Sequence, residues 1–495
     1  MNTPSRYGNF TAGSTGMLPK TLKYGNKTEA AMARSYTSNI QPNGALNGYT
    51  PGSVTTINIP TGPNLALICA ESVLKFDVTT LGADQGRLDS CGAHGFIQRI
   101  RVFHGSNLLE DTDTYGMLAK EYFDLQVSTD ACFGKYSILA GTRSDVYLNM
   151  ASDTLNTVGV ATNAAAADLC NALKTAVMAG RGVCVNSGAL LNYSNAVPNL
   201  ATTTYSLTLI SMLGSLCSNN YFPLFECTSA PLRLEIQWVN TVQMAGCFPN
   251  TTTGFRVDAI EYIASYLALS GEAMNIIRSG VNGPFSFTMQ GVRNYQGTAL
   301  LANGVNTQVN FNIAAKFGSV KSIITSIRDT ASSTNTSLYF PYSSCRFGLQ
   351  NYSFRIGSSS SIPAIPPSSI PQYFQELIKS VGSISDLNHQ PSIDLASYSQ
   401  NITVGLPAVG GCLNTTQSIL AGSVNSGSFY VGLDLENYAE SDKTSIYTGY
   451  NTKTEDIILC LNFLAPAAIA SARLDAFVMF DQEVVFENGT CYVSF

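Results

Sequence analysis

A strand–turn–strand–helix unit occurs twice in this chain, and the distance between the two sets the scale of any fold. His94 to Gln126 reads HGFIQRIRVFHGSNLLEDTDTYGMLAKEYFDLQ. Phe96, Ile100, Val102 and Phe103, with Arg99 and Arg101 between them, predict a strand. His104-Gly105-Ser106-Asn107 has turn composition, and Gly105 reaches positive φ without steric cost. Leu108-Leu109 is a short apolar return. Asp111-Thr112-Asp113-Thr114 predicts an N-cap with acidic groups at a helix start. Leu118, Tyr122 and Leu125 then line one helical face. Tyr352 to Ser380 repeats this order. Phe354-Arg355-Ile356 is the strand, Gly357-Ser358 the turn and Ile362 the return. A Pro/Ser stretch replaces the acidic cap, and Tyr373, Leu377 and Val381, beside Phe374 and Ile378, form the helical face.

Gly105 and Gly357 lie 252 positions apart. A second echo, Ser229 to Ile236 against Ser471 to Phe477, places Leu234 and Leu474 240 apart. Two echoes in one order at similar offsets predict one domain made twice; the alternative is two unrelated β domains. A chain of 495 residues exceeds what one core supports, roughly 250–300 residues, and two copies of that size fit the limit.

Turn signals every 8–12 residues or so between short strands indicate a sandwich or jelly roll. Residues 1–54 read as an N-terminal arm, 55–245 as the first unit and 255–495 as the second, with a Cys/Pro/Asn/Thr-rich junction at Gln243 to Gly254. Residues from about 130 to 201, including Ala161 to Asp168, are low in complexity and predict a long insertion in the first unit. Phe255 to Leu269 predicts a strand that leads into a short helix near Glu272. At the far end, Glu487-Asn488-Gly489 is an Asn-Gly hairpin signal.

Charged residues make up only 12% of the chain, against about 25% in ordinary soluble proteins. Asn, Ser, Thr and Gly replace them, which suits a surface covered by other protein, where desolvating charge is costly. An ordinary β-rich extracellular protein with a Ser/Thr surface is the other reading. A net charge of −6 excludes a chain that is basic overall and holds nucleic acid by counterion release. Residues 1–35 differ: Arg6, Lys20, Lys23, Lys27 and Arg34 stand against Glu29. That arm suits a genome or a lipid surface, or is incidentally basic.

The N-terminus lacks an apolar core segment, which predicts no signal peptide, and no stretch approaches the ~20 apolar residues of a membrane span. Twelve cysteines are scattered without a C-x-x-C pair, which predicts free thiols in a reducing compartment. Nine N-x-S/T sequons, Asn192, Asn335 and Asn414 among them, match chance in a chain this rich in Asn, Ser and Thr.

No catalytic constellation emerges. His94, His104 and His389 are the only histidines, and none stands at zinc-ligand spacing with Cys or carboxylate. H-E-x-x-H, G-x-S-x-G and P-loop motifs are lacking. Asp111 and Asp113 read as capping groups before they read as a glycosidic acid pair. Glu436 reads as a structural carboxylate at a strand end and Arg355 as a solvated or salt-bridged strand residue. Catalytic, cofactor-binding and metal residues are therefore expected to be none.

The layout resembles the double jelly-roll major capsid proteins of tailless icosahedral DNA viruses: adenoviruses, polinton-like elements, nucleocytoplasmic large DNA viruses and membrane-containing phages. The resemblance is carried by Phe96 to Leu118, Tyr221 to Leu224 running into Leu232 to Trp238, Lys316 to Ile323, Phe340-Pro341, Phe354 to Gly357, Phe429 to Glu436 and Leu474 to Gly489. It covers roughly residues 55–495 and implies an all-β fold of two tandem eight-stranded jelly rolls, with short helices and a long loop insertion in the first. It further implies a non-enzymatic, virion-located protein that forms homotrimers and then a shell. The implied partners are copies of itself, penton and minor capsid or cement proteins, and an internal membrane or genome through the basic arm, with no small-molecule substrate. Two rivals remain: a minor capsid, penton or spike protein, and a carbohydrate-binding or glycoside-hydrolysing tandem β-sandwich. Trp238, the sole tryptophan, disfavours the last.

Overall fold

A computed structural model of the chain describes residues 32–45, 47–80, 88–142, 202–217, 221–240, 255–280, 285–301, 304–330, 341–357, 361–382, 384–385, 390–401, 426–437, 447–464 and 471–495. The insertion beyond residue 142, the junction 241–254, the polar loop 331–340, His389 and the first 31 residues fall outside these.

The first lobe contains β1 (Ala33–Ile40), β2 (Val54–Ile59), β3 (Leu65–Leu67), β4 (Val73–Thr80), β5 (Ile97–His104), β6 (Asn107–Asp113), β7 (Thr202–Leu207), β8 (Leu232–Trp238) and β9 (Phe255–Leu269). One sheet runs β1-β9-β4-β7 with β3 also on β9, and the facing sheet runs β2-β8-β5-β6. Alternation builds these strands. In β8, Leu232, Leu234, Ile236 and Trp238 are buried, while Arg233, Glu235 and Gln237 point toward the outer face.

The second lobe contains β10 (Phe285–Leu300), β11 (Thr307–Ile313), β12 (Val320–Asp329), β13 (Leu349–Ile356), β14 (Tyr430–Asp434), β15 (Ile457–Phe463), β16 (Ser471–Glu487) and β17 (Thr490–Ser494). Its sheets run β10-β16-β12-β14, with β17 on β16, and β11-β15-β13. If β3 and the terminal β17 are set aside, the two lobes wind identically. In each, the first strand pairs with the last, the last with the third, and the third with the strand after the helical segment. In each, the second strand pairs with the penultimate one, which pairs with the strand before the glycine turn. The β6 position of the second lobe is held by one bridge, Phe354 to Ile362. Gly105 and Gly357 both sit at φ +57°, so the recurring unit is a true structural equivalent.

The second echo is not. β8 is the penultimate strand of its lobe and β16 the last, so the likeness of Ser229–Ile236 to Ser471–Phe477 joins strands with different places in the winding. Two further expectations are corrected by hydrogen bonding. Ala33–Ile40, read as arm, is a full strand paired with β9 from Ala33↔Leu269 to Ile40↔Tyr262. Phe255–Leu269, read as the opening of the second unit, pairs with β1, β3 and β4 of the first. Closing such a sandwich requires its last strand to lie beside its first, and a run with buried positions along its length meets that need. The helix expected near Glu272 follows as Gly271–Gly280. Where the insertion was expected to begin, Thr129–Phe133 and Lys135–Leu139 form two short helices. The Asn-Gly signal is a tight turn, with Asn488 at φ 53° and Gly489 at φ 76°, joining β16 to β17.

Candidate functional site at the seam between the lobes

The helix Tyr115–Gln126 packs on the first lobe, its Tyr115 hydroxyl between His94 and the Ile210 N–H, and turns its polar side to the second lobe. Its sequence offers an apolar face, but Lys120, Glu121 and Asp124 are as buried as Leu118 and Leu125. A helix buried on its polar side needs partners there. Lys120 Nζ donates to Asp124 Oδ2 at 2.7 Å, one turn along, and to Ser428 Oγ at 2.9 Å in the second lobe. Tyr430 on β14 donates its hydroxyl to the same Asp124 oxygen at 2.7 Å. Ser392 closes the far end, its N–H on Asp124 O and its hydroxyl on Phe123 O.

A second set of charges flanks the helix start. Arg328 on β12 donates from Nε to Asp475 Oδ2 at 2.9 Å, and Arg473 on β16 donates to Asp475 Oδ1 at 3.1 Å. Arg473 also reaches Thr114 Oγ1 at 2.9 Å. Gln296 on β10 donates to the same hydroxyl at 2.8 Å and to Asp113 Oδ2 at 3.0 Å. Thr114 is the helix N-cap and has φ 52°, an uncommon conformation for a threonine, held here by two donors from the other lobe. Gly116, the second helical residue, lets Tyr342 cross the helix: a Cβ there would sit 2.5 Å from the tyrosine oxygen, which donates to Gly95 O at 2.9 Å.

Burial sets the protonation of the enclosed acids and bases. Glu121 has both carboxylate oxygens buried without a hydrogen-bond partner among the described residues. Burial, and next Asp475, push its carboxyl well above the usual range, and Arg328 opposes them only in part. Glu110 accepts the Met212 N–H at 2.9 Å, and burial raises it from 4.5 to about 8. His94 faces the Tyr115 hydroxyl at 3.0 Å, and burial lowers it from 6.5 to about 3.

The residues singled out by sequence are dispersed. Asp111 and Asp113 belong to β6, which runs four residues past the expected apolar return Leu108-Leu109, and neither caps the helix by a side chain. Asp111 pairs with Arg99 across the strands, and Asp113 holds the Thr114 N–H and the Gln98 amide. His104 sits at the seam, His94 in the first-lobe core. Glu436 lies 3.4 Å from Lys321, and Arg355 is exposed on β13. Trp238 is buried, its indole N–H on Thr55 and its ring edge-on to Phe76, so it offers no stacking surface to a sugar. Among the described residues no group of three His, Cys, Asp or Glu is placed to hold a metal ion, and no helix is long and apolar enough to cross a membrane.

Sequence reasoning missed Lys120, Glu121, Asp124, Arg328, Tyr430 and Asp475. The available signal was the Lys-x-x-x-Asp spacing in a helix whose remaining residues are nearly all apolar.

No protein-family model matches the sequence, and no curated protein does. Solved structures do. The chain aligns over 96% of its length with 99% of a chain of the PBCV-1 virus capsid, with a TM-score of 0.57 at 8% identity. It aligns over its whole length with 97% of the mavirus major capsid protein, TM-score 0.53 at 11% identity. The Sputnik virophage structure matches over 97% of this chain and 93% of the other, TM-score 0.51 at 10% identity.

The chain has the fold of viral double jelly-roll capsid proteins.

Within that capsid-protein fold the seam is the structural centre. It joins two similar sandwiches with buried ion pairs as well as with apolar contacts, Phe222 and Phe225 of the first lobe packing on Phe285, Phe287 and Phe486 of the second. The match extends across both lobes in each comparison, so the pairing of the lobes is part of what is shared.

Proposed function

We propose that the chain is the major capsid protein of a tailless icosahedral virus and that it works by assembly, without catalysis. The observation that carries this is the correspondence of nearly the whole chain, both lobes together, with capsid proteins of several viruses. Two lobes of one winding give each subunit two similar edges. Three subunits around an axis then present six lobes, a near-hexagonal tile that packs into a closed shell. Sparse charge favours broad contacts between tiles, and exposed apolar side chains such as Ile138, Leu300, Ile365 and Leu395 supply contact surface.

The basic segment before β1 would lie beneath the tile, against a genome or a membrane, and the segment after residue 142 would project from it. Penton and minor proteins would fill the positions that six-lobed tiles cannot. Native mass spectrometry of the full chain, joined to electron microscopy of concentrated protein, tests the reading. A species three times the 52.8 kDa chain mass that forms sheets or shells is the expected result. A monomer at all concentrations contradicts it. Removal of residues 1–31, which leaves β1 whole, should lower the yield of filled particles.

A further inference from the structure

The C-terminal hairpin crosses the seam and brings two thiols together. Ser229 in the first lobe donates its N–H to Gly489 O at 3.1 Å, which lays the loop after Leu224–Glu226 alongside the β16–β17 turn. Two residues before Ser229 is Cys227, and two after Gly489 is Cys491. Both are fully buried and free. Cys491 is fixed on both backbone sides by the β5–β6 turn. Its N–H donates to His104 Nδ1 at 3.0 Å, and its carbonyl accepts from Asn107 Nδ2 at 3.0 Å. His104 is held in turn by Nε2–H on Ala230 O at 3.1 Å. The two cysteines come from different lobes and are 264 residues apart in the chain.

We propose that Cys227 and Cys491 form a site for an oxidative cross-link that locks the two lobes when the protein meets a low-molecular-weight disulfide. The placement supplies what such a link first needs, two backbone segments held side by side by the Ser229–Gly489 hydrogen bond, each carrying an enclosed thiol two residues from that bond. The chemistry balances by exchange. The Cys491 thiolate attacks one sulfur of the oxidant, and one oxidant thiol leaves. The Cys227 thiolate then attacks the Cys491 sulfur of the mixed disulfide, and the second oxidant thiol leaves. Two protein thiols lose two electrons and two protons, and one small disulfide becomes two thiols. The neighbouring Cys491 thiol, and burial, raise the Cys227 thiol, so the closed form reacts slowly. Access comes from opening of β17, a short strand whose one sheet partner among the described residues is β16. Reduced protein therefore folds and docks its hairpin first, and oxidation fixes it afterwards. This inference stands apart from the capsid reading, since it depends only on the two lobes of one chain.

The test incubates native full-length protein with oxidised glutathione, then alkylates, digests and maps peptides by mass spectrometry. Hydrogen exchange at the Cys491 amide supplies the opening rate of β17. The expected result is a Cys227–Cys491 peptide as the dominant linked pair among the twelve cysteines, formed no faster than that opening. The oxidised protein should also show an upward shift in its urea midpoint that dithiothreitol reverses. Cys227→Ala, which removes one sulfur at small change in volume, should abolish the linked peptide and the shift together. Glutathione adducts on either residue without the link, a different dominant pair, or no link after many opening times each overturns the proposal.

Discussion

Tyr430 and Asp124 meet across the seam, hydroxyl to carboxylate, at 2.7 Å, both fully enclosed. The same oxygen takes Lys120 at 2.7 Å, so one acid joins a helix of the first lobe to a strand of the second. Tyr430→Phe removes one charge-assisted bond and should cost about 1.5–3 kcal/mol. Lys120→Met leaves Asp124 buried without its cation and should cost about 3–5 kcal/mol. Urea denaturation at neutral pH measures both. Equal costs for the two variants would contradict a network centred on the ion pair.

His94 and Glu110 should give the first lobe a stability plateau in pH. The folded His94 value of about 3 lies below its ordinary 6.5. Between those values the unfolded chain binds more protons, so stability is lost as pH falls below 6.5. Glu110 shifts the opposite way, from 4.5 to about 8. Here the folded state keeps the proton that the unfolded chain releases, so stability is lost as pH rises from 4.5 to 8. The opposing slopes cancel between 4.5 and 6.5, and stability should decline on either side. Glu110→Gln keeps an acceptor for the Met212 N–H and should flatten the decline between 6.5 and 8. Urea midpoints measured across pH 4 to 8 check this.

Gly105 and Gly357 share φ +57°, and alanine at either position should cost about 1–2 kcal/mol of backbone strain. At Gly105 the added Cβ would meet only the Ala230 methyl at 3.7 Å, an ordinary contact, so strain alone acts. At Gly357 it would press the Glu455 side chain at 3.1 Å, a small further cost. Thermal melts of both variants should show similar losses, slightly greater for Gly357→Ala.

Gly116 and Tyr342 should be strongly coupled. Alanine at position 116 would place Cβ 2.5–2.6 Å from the tyrosine ring end, an overlap expected to cost about 1–3 kcal/mol. Tyr342→Ala in the same background removes the clash. The double mutant should then be more stable than the sum of single effects predicts, by 0.5 kcal/mol or more. Additivity in that cycle would mean the helix shifts instead of the ring.

The recurring unit was legible because its signals are local. A glycine that needs positive φ, an apolar strand before it and a helical face after it all lie within about thirty residues. The limits of the first sandwich were not legible. Nothing in ARSYTSNI distinguishes a polar arm from an edge strand until its partner is known, and that partner, FRVDAIEYIASYLAL, lies more than 200 residues on. The false echo between Leu234 and Leu474 shows the same limit, since alternation identifies a strand but not its place in the winding. The seam stayed hidden for another reason. Lys120 and Asp124 look solvated on any helix that has one apolar face, and only the second lobe arriving on the other side makes them an enclosed pair.

The pairing of β1 with β9 has a consequence for synthesis. The earliest strand of the first sandwich waits for a mate that emerges from the ribosome some 215 residues after it. Until Leu269 is out, the growing polypeptide exposes the flank of β4, a template that neighbouring nascent chains on one message could seize. Production of this protein should therefore be sensitive to translation speed over that interval and to chaperones that shield an unmated edge.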